Sequence, residues 1–260
     1  MVLVVGAISN RPELPTIEQR LEARNPPKVS PVMYQQWRSL LFLHWEWSIE
    51  EIQATLPDGL FVDTFLGKAY LGIVPFFMQN IRPRFLPALP SISNFMEMNL
   101  RTYVYDKKGV PGIWFFSLEA NQKLAVLLAR RFFHLPYQYA RMSSSLTVAG
   151  AIDYRSNRRG TNMDHLQCLF EYVADRDLIS PSENSLEFFL IERYRLYVAP
   201  LGRLFQGSVF HPPYPLCEVK LTKWNDNLLV LNQFAPSNRP PDHVIMSRGV
   251  DVKVYPLTRT

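Results

Sequence analysis

The 21 prolines of this 260-residue chain set the strongest limit on its fold. Proline breaks helix interiors and central strands, because it lacks a backbone N–H and its ring clashes with the preceding turn. Their number argues against an all-helical protein. Between the prolines lie segments rich in alternating aromatic and β-branched residues, which is typical of strands. The sequence therefore predicts a mainly β protein of the α+β type, with mostly antiparallel strands.

The clearest predicted element is a hairpin in FMEMNLRTYVYDKKGVPGIWFFSLEA, residues 95–120. Its turn lies near Gly109, since glycine readily supplies the positive φ that a tight turn needs. Side chains alternate between the two faces of a strand, so the first strand has one apolar face and one polar face. The polar face faces either solvent or a polar pocket and consists of Glu97, Asn99, Arg101 and Tyr103.

Two or three helices are predicted beside the strands. Ser48 can cap one helix, with Glu51 closing a capping box, and another is expected at residues 185–190. Asn121 can cap a helix that ends before Pro136, with extended backbone at residues 134–135. The apolar stripe of that helix is of the kind that faces a core, and it consists of Leu124, Leu127, Leu128 and Phe132.

Residues 1–32 are predicted to form an extended N-terminal arm, because prolines leave room only for a short helix around residues 16–24. Residues 33–260 are predicted to form one domain. Another polar cluster follows in ERYRLYVAPLGRLFQGSVFHPPYPL, residues 192–216. Its candidate site residues could serve a ligand or form a structural network, and they are Glu192, Tyr194 and His211.

Composition limits the classes of function. The formal charge is +5, from 28 Lys and Arg against 23 Asp and Glu, and the positive residues are scattered, so no nucleic-acid partner is expected. No apolar run is long enough for a membrane helix, and we expect no membrane partner. The histidines lack metal-ligand spacing and no nucleotide motif is present, so we expect no metal and no cofactor. Two cysteines far apart in sequence, with no signal-peptide pattern, favour a cytoplasmic protein.

Long, ordered motifs make the chain similar to a known family. They include LPDGLFVDTFLGKAYLGIVPF, IRPRFLPALPSISNFMEMNLRTYV, ARRFFHLPYQYARM and HPPYPL, and the resemblance runs from Trp37 to about Asn232. The chain resembles the YqjF-like family of uncharacterised bacterial proteins, which in turn resembles the acetoacetate decarboxylase superfamily. That resemblance implies an antiparallel, cone-like β-barrel with a ligand cavity inside and two or three flanking helices.

The resemblance also implies a site. In acetoacetate decarboxylase a lysine forms a Schiff base with a β-keto acid. In that sequence the lysine follows a hairpin, a strand that ends in Leu-Asp, and a helix. Leu118–Glu119 match that strand end here, and the lysine position is Tyr137. A phenol has no amine and cannot form an imine. The resemblance therefore implies Glu97 as an acid or base and Tyr137 as a hydrogen-bond donor, with Lys68 and Lys220 the only lysines that could point inward.

The ligands of that superfamily are small oxo-acids, so a carboxylate ligand is expected. Guanidinium groups bind carboxylates in a bidentate geometry. The candidates near the motifs are Arg82, Arg101, Arg130, Arg131 and Arg141. Three functions stay open: a non-catalytic ligand-binding protein, a lysine-independent lyase, aldolase or hydratase-like enzyme, and a structural or partner-binding protein with a filled barrel. A homo-oligomer is compatible with each.

Overall fold

The computed structural model describes residues 11–178 and 180–260. Helices are short, as the proline distribution predicts, and strands make up most of the fold. Ser48 caps the second helix by accepting a hydrogen bond from the backbone N–H of Glu51, and Ser185 caps the fourth through Phe188. The predicted capping box is wrong, because the Glu51 side chain accepts a hydrogen bond from Nε1 of Trp47 instead. The described residues contain five α-helices, more than the two or three predicted. They are α1 (Ile17–Glu22), α2 (Ile49–Gln53), α3 (Lys123–Phe133), α4 (Leu186–Ile191) and α5 (Asn227–Val230).

All strands of the described residues belong to one hydrogen-bonded sheet, which is antiparallel except where β5 pairs with β6 and with β9. The thirteen strands of this part of the chain are β1 (Met33–Trp47), β2 (Leu60–Val62), β3 (Ala69–Pro83), β4 (Phe95–Asp106), β5 (Pro111–Ala120), β6 (Tyr137–Leu146), β7 (Ile152–Arg158), β8 (Cys168–Asp177), β9 (Arg195–Val198), β10 (Phe205–Phe210), β11 (Leu216–Trp224), β12 (His243–Val254) and β13 (Thr258–Arg259).

The sheet returns on itself twice. The strands pair in the order β5, β6, β7, β8, β11, β12, β1, β3 and β4, and β4 then pairs with β5. A second circuit runs from β12 through β10, β9 and β5 back to β4, β3 and β1. Two large clusters of buried apolar residues pack against this sheet.

The long strand β3 separates these two clusters. Leu71 and Ile73 pack into a cluster that includes Trp45 and Tyr172. Residues on the opposite face of β3, such as Val74, pack into the other cluster with residues of α4 and β12. Both faces of β3 are therefore apolar and buried, as its sequence predicts for a central strand.

Several sequence-based expectations about these elements need correction, and one strand was missed. The side chain of Gln122, one residue after Asn121, caps α3. His134 ends α3 in the left-handed region at φ 52° instead of being extended. Strand β7 was not predicted, because its polar sequence IDYRSNR hides the alternation. The stripe of α3 is exposed, since α3 packs on β5 and β6 through Val126; it comprises Leu124, Leu127, Leu128 and Phe132.

The N-terminal segment contacts the sheet from residue 11 onward. Arg20 of α1 is buried and forms a bidentate ion pair with Asp63, with N–O distances of 2.7 and 2.8 Å. Arg24 approaches the carboxylate of Glu192 at 3.4 Å. The hydroxyl of Tyr105 donates to the carbonyl of Pro12. The described part of the predicted arm therefore lies against the body of the protein.

Candidate functional site

A cavity of about 780 Å³ lies on the side of the sheet that carries the polar face of β4. Its walls come from β1, β3, β4 and β5, from the C-terminal strands, from α3 and from the loop at residues 86–93. Most lining side chains are apolar. The polar and charged side chains that line it are Gln35, Ser93, Glu97, Asn99, Arg101, Tyr137, Arg193, Arg195, Ser208, Tyr214 and Tyr255.

Glu97 and Tyr137 meet in this cavity. The Tyr137 hydroxyl donates a 2.5 Å hydrogen bond to Oε2 of Glu97, and both residues are buried. Glu97 lies in the middle of the sheet, where β4 pairs with both β3 and β5. Tyr137 is the first residue of β6, which pairs in parallel with β5 at Leu118. The turn after α3 therefore places the phenol opposite the carboxyl group.

Burial controls the protonation of this pair. It raises the pKa of Glu97 to about 8, while the hydrogen bond from Tyr137 acts in the opposite direction. Burial and then the nearby Glu97 carboxyl raise the pKa of Tyr137 well above its ordinary value. Near pH 7 the Glu97 carboxyl is therefore mainly protonated. It can donate its own proton to a ligand while the phenol stays neutral.

Arg101 is the most unusual group in the cavity. It is 7% exposed, and among the described residues its side chain forms no ion pair and donates no hydrogen bond. Its Nε and Nη2 atoms are buried without an acceptor, and the Oδ1 atom of Asn99 on the same strand face is buried without a donor. The guanidinium lies 5.3 Å from the ring centre of Phe42, a weak partner for a full charge. Buried polar groups are normally satisfied, so this end of the cavity lacks an acceptor.

Arg193 adds a second guanidinium to the cavity. It donates from Nε to the carbonyl of Phe189 at 2.7 Å and from Nη1 to Asp63 at 2.7 Å, while its Nη2 is buried without an acceptor. Asp63 also binds Arg20, so a single carboxylate serves two guanidinium groups. Burial lowers the pKa of Arg193 to about 10, which leaves it charged at neutral pH. The local charge of this cluster is therefore positive even before Arg101 is counted.

Sequence reasoning missed Arg193 as a site residue. The motif ERYRLY instead suggested Glu192 and Tyr194, the neighbours of Arg193 in sequence, as site residues. In the structure Arg193 lines the cavity and they do not. The available signal was the alternation of an extended chain, which places residue 193 on the face opposite residues 192 and 194.

Glu192, Tyr194 and His211 form a separate buried cluster. The Tyr194 hydroxyl donates to the Glu192 carboxylate, which also accepts from the backbone N–H of Tyr214 at 3.3 Å. The rings of Tyr194 and His211 stack with centres 4.5 Å apart. Tyr214 lines the cavity and contacts His211, so this cluster supports the cavity wall without lining it.

Tyr103, the last member of the polar strand face, is fully buried but does not line the cavity. Its hydroxyl lies 2.8 Å from Nε2 of His44, whose Nδ1 lies 3.1 Å from Nδ1 of His243. Burial, followed by the charges of His243 and Arg101, lowers the pKa of His44 well below its ordinary value. A neutral His44 therefore bonds Tyr103 and holds it beside the two cavity arginines.

The other four candidate arginines lie outside the cavity. Arg82 is partly buried and stacks on the ring of Tyr34 at 4.4 Å. Arg130 is exposed and donates to the carbonyl of Tyr137 at 2.5 Å, which braces the turn that positions that residue. Arg131 and Arg141 are exposed. Their helix and strand positions point them away from the interior, which periodicity alone did not resolve.

The lysines and histidines supply neither an imine nor a metal site in the described part of the chain. All eight lysines are exposed, including Lys68 and Lys220, so the expectation that these two could point inward is wrong. Lys107 and Lys108 lie in the turn of the β4–β5 hairpin. Glu119 is buried in an ion pair with Arg158 at 2.8 Å and does not line the cavity. Among residues 11–178 and 180–260, no cluster of three His, Cys, Asp or Glu side chains could hold a metal ion.

The fold is that of acetoacetate decarboxylase-like proteins. Acetoacetate decarboxylase from Legionella pneumophila superposes with a TM-score of 0.60 at 12% identity, covering 98% of each chain. An acetoacetate decarboxylase-like enzyme from Sphingomonas wittichii RW1 gives 0.59 at 12% identity, covering 89% of this chain and 94% of its own. The enduracididine biosynthesis enzyme MppR, complexed with pyruvate, gives 0.59 at 14% identity, covering 90% and 93%.

Sequence comparison shows the family. Residues 34–251 match the model of DUF2071, described as an uncharacterized conserved protein, and the chain belongs to that family. It is also 42% identical over 188 residues to the uncharacterized protein YqjF of Bacillus subtilis (strain 168), a match that covers 71% of this chain and 75% of YqjF. In the described part of the chain, no helix is both long enough and apolar enough to cross a membrane.

Proposed function

We propose that the protein binds a small carboxylic acid of the oxo-acid class in the cavity. The observation that carries this proposal is Arg101, a buried guanidinium without an anionic partner. Burying an uncompensated charge is costly, and a carboxylate ligand would offset that cost while accepting two parallel hydrogen bonds. Arg193, with an unused Nη2, is a second donor to the same ligand.

The Glu97–Tyr137 pair is suited to the oxo group of such a ligand. A protonated Glu97 and a neutral Tyr137 are both donors, and a carbonyl oxygen only accepts. Asn99 lies between Glu97 and Arg101 on the same strand face and adds an amide to the polar wall. The similarity of the fold to MppR, whose structure contains pyruvate, supports the same class of ligand.

The site works without a Schiff base in this proposal, because every lysine is exposed and the resemblance implies Tyr137 at the lysine position. We further propose that the closed strand circuits form the cone-like β-barrel that the resemblance implied. The pairing of β4 with β5 and of β10 with β12 supports it. The cavity volume of about 780 Å³ favours a ligand-binding protein over one with a filled interior.

A lysine-independent lyase, aldolase or hydratase-like enzyme is the second candidate. Its support is Glu97, whose pKa of about 8 lies close to neutral pH, as general acid–base catalysis requires. Tyr137 would then stabilise a developing enolate oxygen. Turnover of an oxo-acid, followed by NMR and lost in Glu97→Gln, distinguishes this candidate from simple binding.

The binding proposal is tested by calorimetry with pyruvate and 2-oxobutanoate. Arg101→Met removes the guanidinium but keeps an apolar stem, and it should weaken binding by about tenfold or more, the value of a charged hydrogen bond. Arg141→Met is the matched control, because Arg141 is exposed and lies outside the cavity. Equal affinities for the wild type and Arg101→Met would refute the proposal.

A further inference from the structure

We infer that the ligand is an amphipathic acid, with a carboxylate held by Arg101 and Arg193 and an apolar chain that extends through the cavity to α3. This inference rests on the proposed function and adds the chemical class of the rest of the ligand. Three observations support it: the size of the cavity, the separation of its charged and apolar walls, and an exposed apolar helix face at its opening.

The cavity is too large for a short oxo-acid alone. Its volume of about 780 Å³ equals roughly 26 water molecules at about 30 Å³ each. An acid of three or four carbon atoms would fill only a small part of that space. A volume of this size is typical of sites that enclose drug-sized ligands. A longer ligand would displace the water and cover the apolar walls.

Charged side chains and exposed apolar side chains lie in different parts of the cavity wall. The unpaired guanidinium nitrogen atoms belong to buried residues of β4 and of the segment before β9. Leu86, Leu89, Leu124, Leu128 and Phe132 line the same cavity but are 42–66% exposed, so they lie where it opens. A ligand that contacts both regions needs an anionic group at its inner end and an apolar chain toward the opening.

This arrangement explains three of the four exposed residues in the stripe of α3, namely Leu124, Leu128 and Phe132. Surface leucines and phenylalanines that cluster at the edge of a cavity indicate a binding site for apolar groups. Leu128 and Phe132 line the cavity together with the loop of Leu86 and Leu89, whereas Leu127 of the same helix does not line it. An apolar chain passing between α3 and this loop would cover the side chains that the protein itself leaves exposed.

A chain-length series tests the inference. The probes are acetate, butanoate, hexanoate, octanoate and decanoate, with 1-decanol as the probe that lacks the carboxylate, and the readout is titration calorimetry. Each added CH2 group should raise the affinity roughly two- to fourfold until the cavity is filled. Decanoate should bind at least tenfold more tightly than 1-decanol, because the alcohol leaves Arg101 without an anion.

The variants separate the two ends of the ligand. Leu128→Gln should weaken decanoate about fivefold or more and leave butanoate unchanged, since it places an amide against the apolar chain. Leu127→Gln is the matched control on the same helix and should change neither affinity. Light scattering of both variants shows whether a second copy of the chain covers α3. In that case the oligomeric state would change in both, and the inference would be wrong.

The outcomes of the chain-length series distinguish a failure of this inference from a failure of the proposed function. If butanoate and decanoate bind equally, the apolar chain is refuted while carboxylate binding stands. If 1-decanol binds as tightly as decanoate, carboxylate recognition fails and the amphipathic acid fails with it. If no acid of the series binds but pyruvate or 2-oxobutanoate does, only the inference is refuted; if those two oxo-acids also fail to bind, both are refuted. A rising affinity that is lost in Leu128→Gln but kept in Leu127→Gln supports the inference.

Discussion

The hydroxyl of Tyr137 donates a 2.5 Å hydrogen bond to Oε2 of Glu97, in a cavity that contains no lysine among its described lining residues. The two residues are 40 positions apart in sequence and meet because β6 pairs in parallel with β5 while β4 pairs with β5 on its other side. This contact places a phenol and a protonated carboxyl group side by side, and both groups are hydrogen-bond donors.

Tyr137→Phe should weaken an oxo-acid without weakening the matched simple acid. The substitution keeps the ring and removes one donor, so we expect the affinity for 2-oxobutanoate to fall by about 1 kcal/mol or more while that for butanoate stays unchanged. Calorimetry with both acids measures the difference. The free energy of unfolding should fall by about 1 kcal/mol for the lost hydrogen bond. If the two acids respond alike, Tyr137 is a packing residue.

Glu97 should make the protein less stable as the pH rises. Its folded pKa of about 8 lies above the ordinary value of 4.5, so between these values the folded state binds more protons than the unfolded state. The free energy of unfolding therefore falls with rising pH across this window, by at most about 1.4 kcal/mol per pH unit, and the fall ends above pH 8.

Urea unfolding of the wild type and of Glu97→Gln between pH 5 and 9 checks this prediction. The glutamine does not titrate, so the variant should lose that component of the slope. Glu218→Gln, at a mostly solvated surface ion pair with Arg176, is the control and should keep the wild-type slope. A wild type and a Glu97→Gln variant with parallel curves would show that Glu97 titrates normally.

Local sequence patterns predicted the elements better than the site. The β4–β5 hairpin with its turn at Gly109, the Ser48 cap and the strand β3 with two apolar faces are confirmed, because each depends on neighbours in sequence. Strand β7 escaped prediction since its polar residues bury their side chains through partners far away. Ser156 and Arg158 of β7 both bind Glu119, a contact that no period reveals.

The site itself required long-range information. The alternation of β4 correctly separated Glu97, Asn99 and Arg101 from the apolar face, and all three line the cavity. It could not show which arginines of the surrounding segments point inward. Arg193 does so because Asp63, 130 residues earlier in the chain, holds its guanidinium, and Asp63 carries no sequence signal. The stripe of α3 looked like a core face because periodicity cannot distinguish a core from the opening of a cavity.

Asp63→Asn should destabilise the protein strongly. Asp63 is fully buried and is the carboxylate partner of both Arg20 and Arg193. Its removal leaves two neighbouring buried cations uncompensated, which costs about 3–5 kcal/mol. Asp58→Asn is the control, since Asp58 is exposed, and it should be nearly neutral. Arg20→Met should cost less than Asp63→Asn, because Asp63 then keeps Arg193. Chemical denaturation of the three variants gives the order, and equal stability of Asp63→Asn and Asp58→Asn would contradict the prediction.

No Schiff base should form with an oxo-acid. Imine formation needs a lysine that is neutral and close to the ligand, and all eight lysines are exposed outside the cavity. Incubation with pyruvate and borohydride, followed by intact-mass measurement, should give no stoichiometric adduct. Tyr137→Lys would place an amine beside Glu97, at the position where the resemblance implies the decarboxylase lysine. If that variant folds, its adduct would show that the assay detects an imine here. A stoichiometric adduct on one wild-type lysine would overturn the lysine-independent mechanism.

Arg101→Met should stabilise the ligand-free protein, although it should weaken ligand binding. In the empty cavity the Arg101 guanidinium is buried with two nitrogen atoms unpaired, and its contacts to Phe42 and Tyr103 offset only part of the lost hydration. An apolar side chain of similar length removes that penalty, so we expect a gain of about 1–3 kcal/mol, or about 2–4 °C in Tm for each kcal/mol. Arg101→Lys keeps the charge and should give no gain. Thermal unfolding at low ionic strength without added carboxylate measures both variants. A less stable Arg101→Met would mean that Arg101 stabilises the fold without a ligand, and the main support for carboxylate binding would be lost.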